Sequence, residues 1–253
     1  MPYEIIQEFI AGVPDVPFRF GKGEGVVNHC TDNPVRGGGD TPTGEHNYEA
    51  RTFNDAWVHF FVGVENGQAK IIQNSSLASG CYGAGMTANS RYWQIELCMY
   101  DDPNLFKIAY DAYVWLTTKL LYDAKLGVTD RATLWSHADI SNTFKETDHQ
   151  DPVAYLASHG ISWTQHVNNV IGAYQNLQRA ALQQTAPNKD FLLKVIVSSL
   201  YYYNKPDWNA KAGIVHQNEV FTVVDTLTVN GSKMYKLKSG NYITANPSYV
   251  QVM

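Results

Sequence analysis

The sequence predicts an α/β domain, with a mixed central β-sheet flanked by helices, followed by a small all-β module. Three observations predict it. Short β-rich runs alternate with helical stretches up to about residue 180. A polar, proline-containing stretch, Leu182-Gln183-Gln184-Thr185-Ala186-Pro187-Asn188-Lys189, then interrupts the pattern. From Phe191 onward there are only short β-branched and aromatic runs, separated by Asn-Gly, Ser-Gly and Asn-Pro turns. The expected division is a domain over residues 1–180, a linker over 181–190 and a module over 191–253, for which an SH3-like barrel is the expected form. Charge divides at the same place: residues 190–253 hold six lysines and four acidic residues, in a chain whose net charge is −5.

In order, Val26-Val27-Asn28-His29-Cys30 is a short strand stopped by the turn chemistry of Thr31-Asp32-Asn33-Pro34. The glycine-rich stretch after it, residues 35–55, reads as a loop with a short helix over 45–51. Residues 57–64 form a strand in which period two puts Trp57, His59 and Phe61 on one face. The Glu65-Asn66-Gly67 turn returns it through residues 69–73. Small residues then fill 79–85, and another strand follows over 92–99. It carries Glu96 in apolar company, a costly placement unless the carboxylate is paired or used. Asp102-Pro103 reads as a cap and first turn, opening a helix over 104–125 with Gly127 as its stop. A strand over 132–136 delivers His137 at its end. Residues 138–151 read as a polar loop, and helices follow over 153–159 and from 162–163 to about 180.

The chemistry concentrates between Trp135 and Pro152, which hold two histidines, three aspartates and a glutamate. A lone histidine is more often structural than a ligand. Two at strand ends, His29 and His137, with an aspartate in a proline-bounded loop, form a set that suits zinc, whose catalytic sites pair three protein ligands with an open position. On the residues alone Asp148 and Asp151 compete as the third ligand, and Glu96 competes between a buried structural acid and a reacting group. Trp57 and Tyr82 are candidates for sugar contact, although core filling is the commoner use of such rings. Three cysteines without CxxC spacing, Cys30, Cys81 and Cys98, give neither a disulfide framework nor a cysteine-only zinc site.

Val27-Asn28-His29, the strand carrying Glu96, Trp135-Ser136-His137 and above all Thr147-Asp148-His149-Gln150-Asp151-Pro152 with Tyr155-Leu156 resemble the zinc-dependent N-acetylmuramoyl-L-alanine amidases of type 2. That family includes autolysins and phage endolysins and is related in fold to peptidoglycan recognition proteins. The resemblance covers about residues 20–180. It implies Zn2+ held by His29, His137 and Asp151. It also implies Glu96 as the proton-transferring carboxylate, His149 as the group that steadies the oxyanion, and His59 in the cleft wall. Residues 234–246 and 249–250 resemble, over a shorter stretch, the SH3-like wall-binding repeats of Gram-positive lysins.

The implied function is hydrolysis of the bond between N-acetylmuramic acid and L-alanine, with peptidoglycan and wall polymers as partners. A binding protein of the same fold that does not cut is the competing class. The acidic balance argues against a nucleic-acid partner. The start MPYEIIQEFIAGVPDVPFRF lacks a basic, apolar signal segment, and no apolar run inserts into a membrane. The expectation is therefore synthesis in the host cytoplasm and action at the wall after release through a holin lesion, as a phage or prophage endolysin, with a secreted autolysin as the other origin.

Overall fold

The computed structural model describes residues 3–31, 40–185 and 190–253, with 182–185 described by backbone alone. The chain forms two compact units, Met1–Ala180 and Ala181–Met253. Residues 32–39 of the expected turn and glycine-rich loop, and 186–189 of the expected linker, lie outside the described residues.

The first unit is built on β1 (Ile6–Gln7), β2 (Gly25–Cys30), β3 (Phe60–Glu65), β4 (Gln68–Gln73), β5 (Tyr92–Leu97) and β6 (Leu134–Ser136). They lie in the order β1-β4-β3-β5-β2-β6. The hairpin β3–β4 is antiparallel, and β3–β5, β5–β2 and β2–β6 are parallel. A central strand in such a sheet is covered on both faces, and all six residues of β2 are buried. The helices are α1 (Pro42–Thr52), α2 (Met86–Asn89), α3 (Pro103–Asp123), α4 (His137–Phe144), α5 (Val153–Ser158) and α6 (Trp163–Thr185). Asp102 caps α3 by accepting from the Asn104 and Leu105 N–H groups, as its sequence signature predicts. The helix stops earlier than expected, with Lys125 already left-handed at φ 58° ahead of Gly127. Helix α6 runs to Thr185, so the first half of the expected linker is helical. No helix among the described residues is long and apolar enough to cross a membrane.

Behind β2 lies a buried polar network. Asn28 Nδ2 donates to Thr117 Oγ1 at 3.0 Å, and His166 Nε2 lies 2.9 Å from Asn28 Oδ1. The other His166 nitrogen is 3.0 Å from the Tyr110 hydroxyl. His166 and His59 are both fully buried, and burial pushes their pKa values down to about 3 and about 4 from the ordinary 6.5. Folded pKa values this depressed mean that the contribution to stability is complete above pH 6.5 and is lost as pH falls toward 4. Each ring then costs up to about 1.4 kcal/mol per pH unit. Denaturation at pH 7, 6 and 5 should show stability falling with acid. His166→Gln, less stable at neutral pH, should lose stability with a shallower slope over the same range. An unchanged slope would count against the buried neutral ring.

The second unit is a seven-stranded, wholly antiparallel sheet of the SH3-like kind. Its strands are β7 (Phe191–Val195), β8 (Ser199–Tyr203), β9 (Lys211–His216), β10 (Val220–Val229), β11 (Ser232–Leu237), β12 (Tyr242–Thr244) and β13 (Val250–Val252). They lie in the order β13-β7-β10-β11-β12-β8-β9. Its core comprises Leu193, Val195, Val215, Val223, Leu237, Ile243 and Val250. At the β10–β11 turn Asn230 and Gly231 both take positive φ, 48° and 79°, as a two-residue hairpin of this hand requires.

Candidate metal centre

Parallel register builds the first half of the site. Cα pairing sets His29 of β2 beside Glu96 of β5, and Asn28 beside Ser136 of β6, so that His137 follows at the same end of the sheet. His137 differs from its expected setting: β6 passes directly into a helix instead of a loop. Ser136 caps that helix, its hydroxyl accepting from the Asp139 N–H at 2.9 Å and donating to Asp139 Oδ2 at 2.7 Å. Ser136-His137-Ala138-Asp139 is the spacing of a capping box, and that signal was present in the sequence. The Ala138 N–H donates to the Asp151 carbonyl at 3.0 Å, which fastens the end of the following loop against α4.

These constraints bring His29, His137 and Asp151 together. The two Nδ1 atoms are 3.0 Å apart, Asp151 Oδ2 is 3.3 Å from His29 Nδ1, and Asp151 Oδ1 is 3.1 Å from His137 Nδ1. Asp148 is exposed and lies outside this group. Glu96 Oε1 is 3.9 Å from His29 Nδ1, and Glu96 Oε2 is buried without a hydrogen-bond partner among the described residues. His149 is 64% exposed, stacks on the His137 ring at 4.8 Å and approaches Asp151 Oδ1 to 3.8 Å. Cys30 contributes its backbone, donating its N–H to Asp151 Oδ2 at 3.2 Å.

The donor set fits zinc. Bonds of about 2.0–2.2 Å in a tetrahedron set ligand atoms roughly 3.3–3.6 Å apart, close to the separations above. Burial, and then repulsion from His29, lowers the His137 pKa and favours a neutral ring with a lone pair. Although burial opposes it, hydrogen bonds with His137 and His29 hold Asp151 well below the usual carboxylate range. Burial, and next the Asp151 charge, pushes the Glu96 carboxyl well above its ordinary value. A neutral His137 ring and an ionised Asp151 thus offer the lone pairs that a dication takes.

Thr147 opens the phrase that carries the resemblance, but the sequence assigns it no role. Its hydroxyl sits 3.0 Å from His137 Nε2 and 2.7 Å from Ser141 Oγ, and accepts the His149 N–H at 3.3 Å. A His137 Nε2–H donated to Thr147 leaves Nδ1 unprotonated toward the cluster. Partners of this kind typically change metal affinity 10–100-fold. Thr147→Val should therefore fold normally and bind zinc about tenfold or more weakly in competition with a chromogenic chelator. Unchanged affinity would remove Thr147 from the site.

Two expected cleft residues are corrected. His59 and Trp57 are both 0% exposed. His59 is held by the backbone, with Nε2 2.9 Å from the Ser79 carbonyl and Nδ1 accepting the Gln94 N–H at 3.0 Å. Period two gave them a common face, but a sheet covered on both sides turns either face inward. Tyr82, by contrast, is 40% exposed and lines an open pocket of about 380 Å3 that reaches His137, Thr147 and His149. A second pocket, about 660 Å3, reaches Asp151 and His149 past Met99, Asp101 and Tyr155. Open space thus lies on both sides of His149.

Fold and donor set together match what the resemblance to type 2 amidase domains implies for the first unit. Among solved structures, the Staphylococcus aureus hydrolase AmiA in complex with its ligand matches with a TM-score of 0.65 and 26% identity, covering 71% of this chain and 87% of AmiA. Among curated relatives, protein Ami of Listeria monocytogenes serotype 1/2a is 33% identical over 164 residues, 63% of this chain and 17% of Ami. The endolysin of Listeria phage A511 is 32% identical over 180 residues, 66% of this chain and 49% of the endolysin. The chain thus spans half or less of the length of these two curated relatives. Residues 187–250 match a domain of unknown function (DUF5776).

Proposed function

We propose that this chain is a zinc-dependent hydrolase of the endolysin type that cleaves the amide bond between N-acetylmuramic acid and the L-alanine of the peptidoglycan stem. The observation that carries this is the convergence of His29, His137 and Asp151 beside an unpartnered Glu96 oxygen. When bound, zinc polarises the amide carbonyl and lowers the pKa of water, chemistry no side chain here supplies at neutral pH. Glu96 takes a proton from the attacking water and passes it to the amide nitrogen. The water oxygen joins the carbonyl carbon and the C–N bond breaks, giving a lactyl carboxylate on the sugar and a free amine on L-alanine. His149, exposed beside Asp151, donates to the carbonyl oxygen as it gains charge. Tyr82 borders the substrate cleft.

The second unit tethers the enzyme to the wall and raises its local concentration there. Delivery through a holin lesion belongs to the same proposal. Mass spectrometry of digested walls tests the reading: new L-alanine amino termini are expected. A different new amino terminus would make the enzyme a peptidase acting within the stem, and no release at all would make it a binder. Either outcome overturns the proposal.

A further inference from the structure

The second unit contains an open pocket of about 500 Å3 whose lining includes Trp208, Asn230, Ser232, Lys233, Thr244 and Asn246. Three chain segments meet there: the loop between β8 and β9, the β10–β11 turn, and the end of β12. The indole is fixed on two sides. Its Nε1–H donates to the Val229 carbonyl at 3.0 Å, and the Tyr203 ring meets it edge to face at 5.5 Å. It nevertheless stays partly exposed. The opposite wall is fixed too, since the Ala245 N–H donates to the Lys233 carbonyl at 3.2 Å and the Asn246 N–H to Thr244 Oγ1 at 3.2 Å. Asn246, which also lines the pocket, accepts the Ser248 N–H through Oδ1 at 2.9 Å, which leaves its amide N–H groups as donors. The Lys233 side chain is exposed and makes no ion pair among the described residues.

An ordered indole ringed by amides, hydroxyls and one ammonium has a definite complement. The apolar face of a sugar ring matches the indole, sugar hydroxyls match the amides and hydroxyls, and an anion matches Lys233. An apolar ligand would match none of these polar groups, and a neutral glycan would leave the ammonium without a partner. We propose that this pocket binds a wall glycan carrying an anionic group, which rests on the wall-tethering part of the reading above. Two wall components share that chemistry. One is a glycan strand whose muramic acid bears a free lactyl carboxylate, and the other is a glycosylated polyol-phosphate polymer.

The test uses the full zinc-loaded chain in a Glu96→Gln background, so that walls are bound and not cut. It is co-sedimented with purified sacculi, with sacculi stripped of phosphodiester-linked polymer by hydrofluoric acid, and with stripped sacculi whose stems have been removed. Lys233→Glu should weaken binding about fivefold or more, and less at high salt. Trp208→Ala should weaken it about tenfold or more. Weakening confined to unstripped walls assigns the polymer, and weakening that persists on stripped, stem-free sacculi assigns the glycan. Lys233 is exposed, so its variant reports on the pocket even if Trp208→Ala fails to fold. Wild-type affinity in Lys233→Glu on every wall would overturn the proposal. Hydrolysis of a soluble muramoyl-peptide by the unmodified chain is read separately. Hydrolysis without wall binding overturns the pocket alone, whereas pocket-dependent binding without hydrolysis supports the pocket and overturns the catalytic reading.

Discussion

Asp151→Ala is expected to purify without zinc and to leave cell walls intact, while Asp148→Ala keeps both metal and lysis. Asp151 approaches both His29 and His137 through different oxygens, and it is the carboxylate that completes the three-ligand set. Removing it leaves two imidazoles, too few for a catalytic zinc. Metal acidity supplies several kcal/mol of transition-state stabilisation, so its loss corresponds to a rate decrease on the order of a thousandfold or more. Asp148, exposed in the same loop, has no such position. Metal analysis of the purified proteins and turbidity clearing of wall suspensions measure the two effects. Full lysis by metal-free protein would sink the mechanism, and zinc lost from Asp148→Ala instead would exchange the ligands.

Glu96→Gln is expected to retain zinc and lose about 10²–10⁴-fold in rate, the usual worth of a positioned proton-transfer group. The substitution keeps the shape of a side chain set by β5 against β2. It replaces the unpartnered Oε2 by an atom that cannot shuttle a proton. Metal content separates this variant from the preceding one: zinc stays and activity goes. If Glu96→Gln cuts walls at the wild-type rate, Glu96 is a structural acid and another group moves the proton.

Much of this was legible in the sequence, for physical reasons that differ by residue. Val26 to Cys30 reads as a strand because β-branched residues end in turn chemistry, and Asp102-Pro103 marks the start of α3 through its cap. Glu96 stands out because a carboxylate in an apolar strand has no cheap structural use. What stayed hidden depends on neighbours far away in the chain. Alternation shows that His59 and Trp57 share a face but not whether that face meets solvent, since helices and loops close over this sheet. Helix α4 is short and polar, and its capping box is easily taken for a loop. Thr147 opens the resembling phrase without a readable role, and its hydroxyl matters only because His137 and Ser141 arrive beside it.

His29 and His137 stand 108 residues apart in the chain, and that separation has a consequence for endurance. In an unfolded chain His29 lies far from His137 and Asp151, so zinc held by all three, as proposed above, would favour the folded form and act as a non-covalent cross-link. Each tenfold rise in free zinc above the dissociation constant then adds about 1.4 kcal/mol to the unfolding free energy. On the proposed function, the zinc level of the medium would then govern how long the protein survives as well as how fast it cuts.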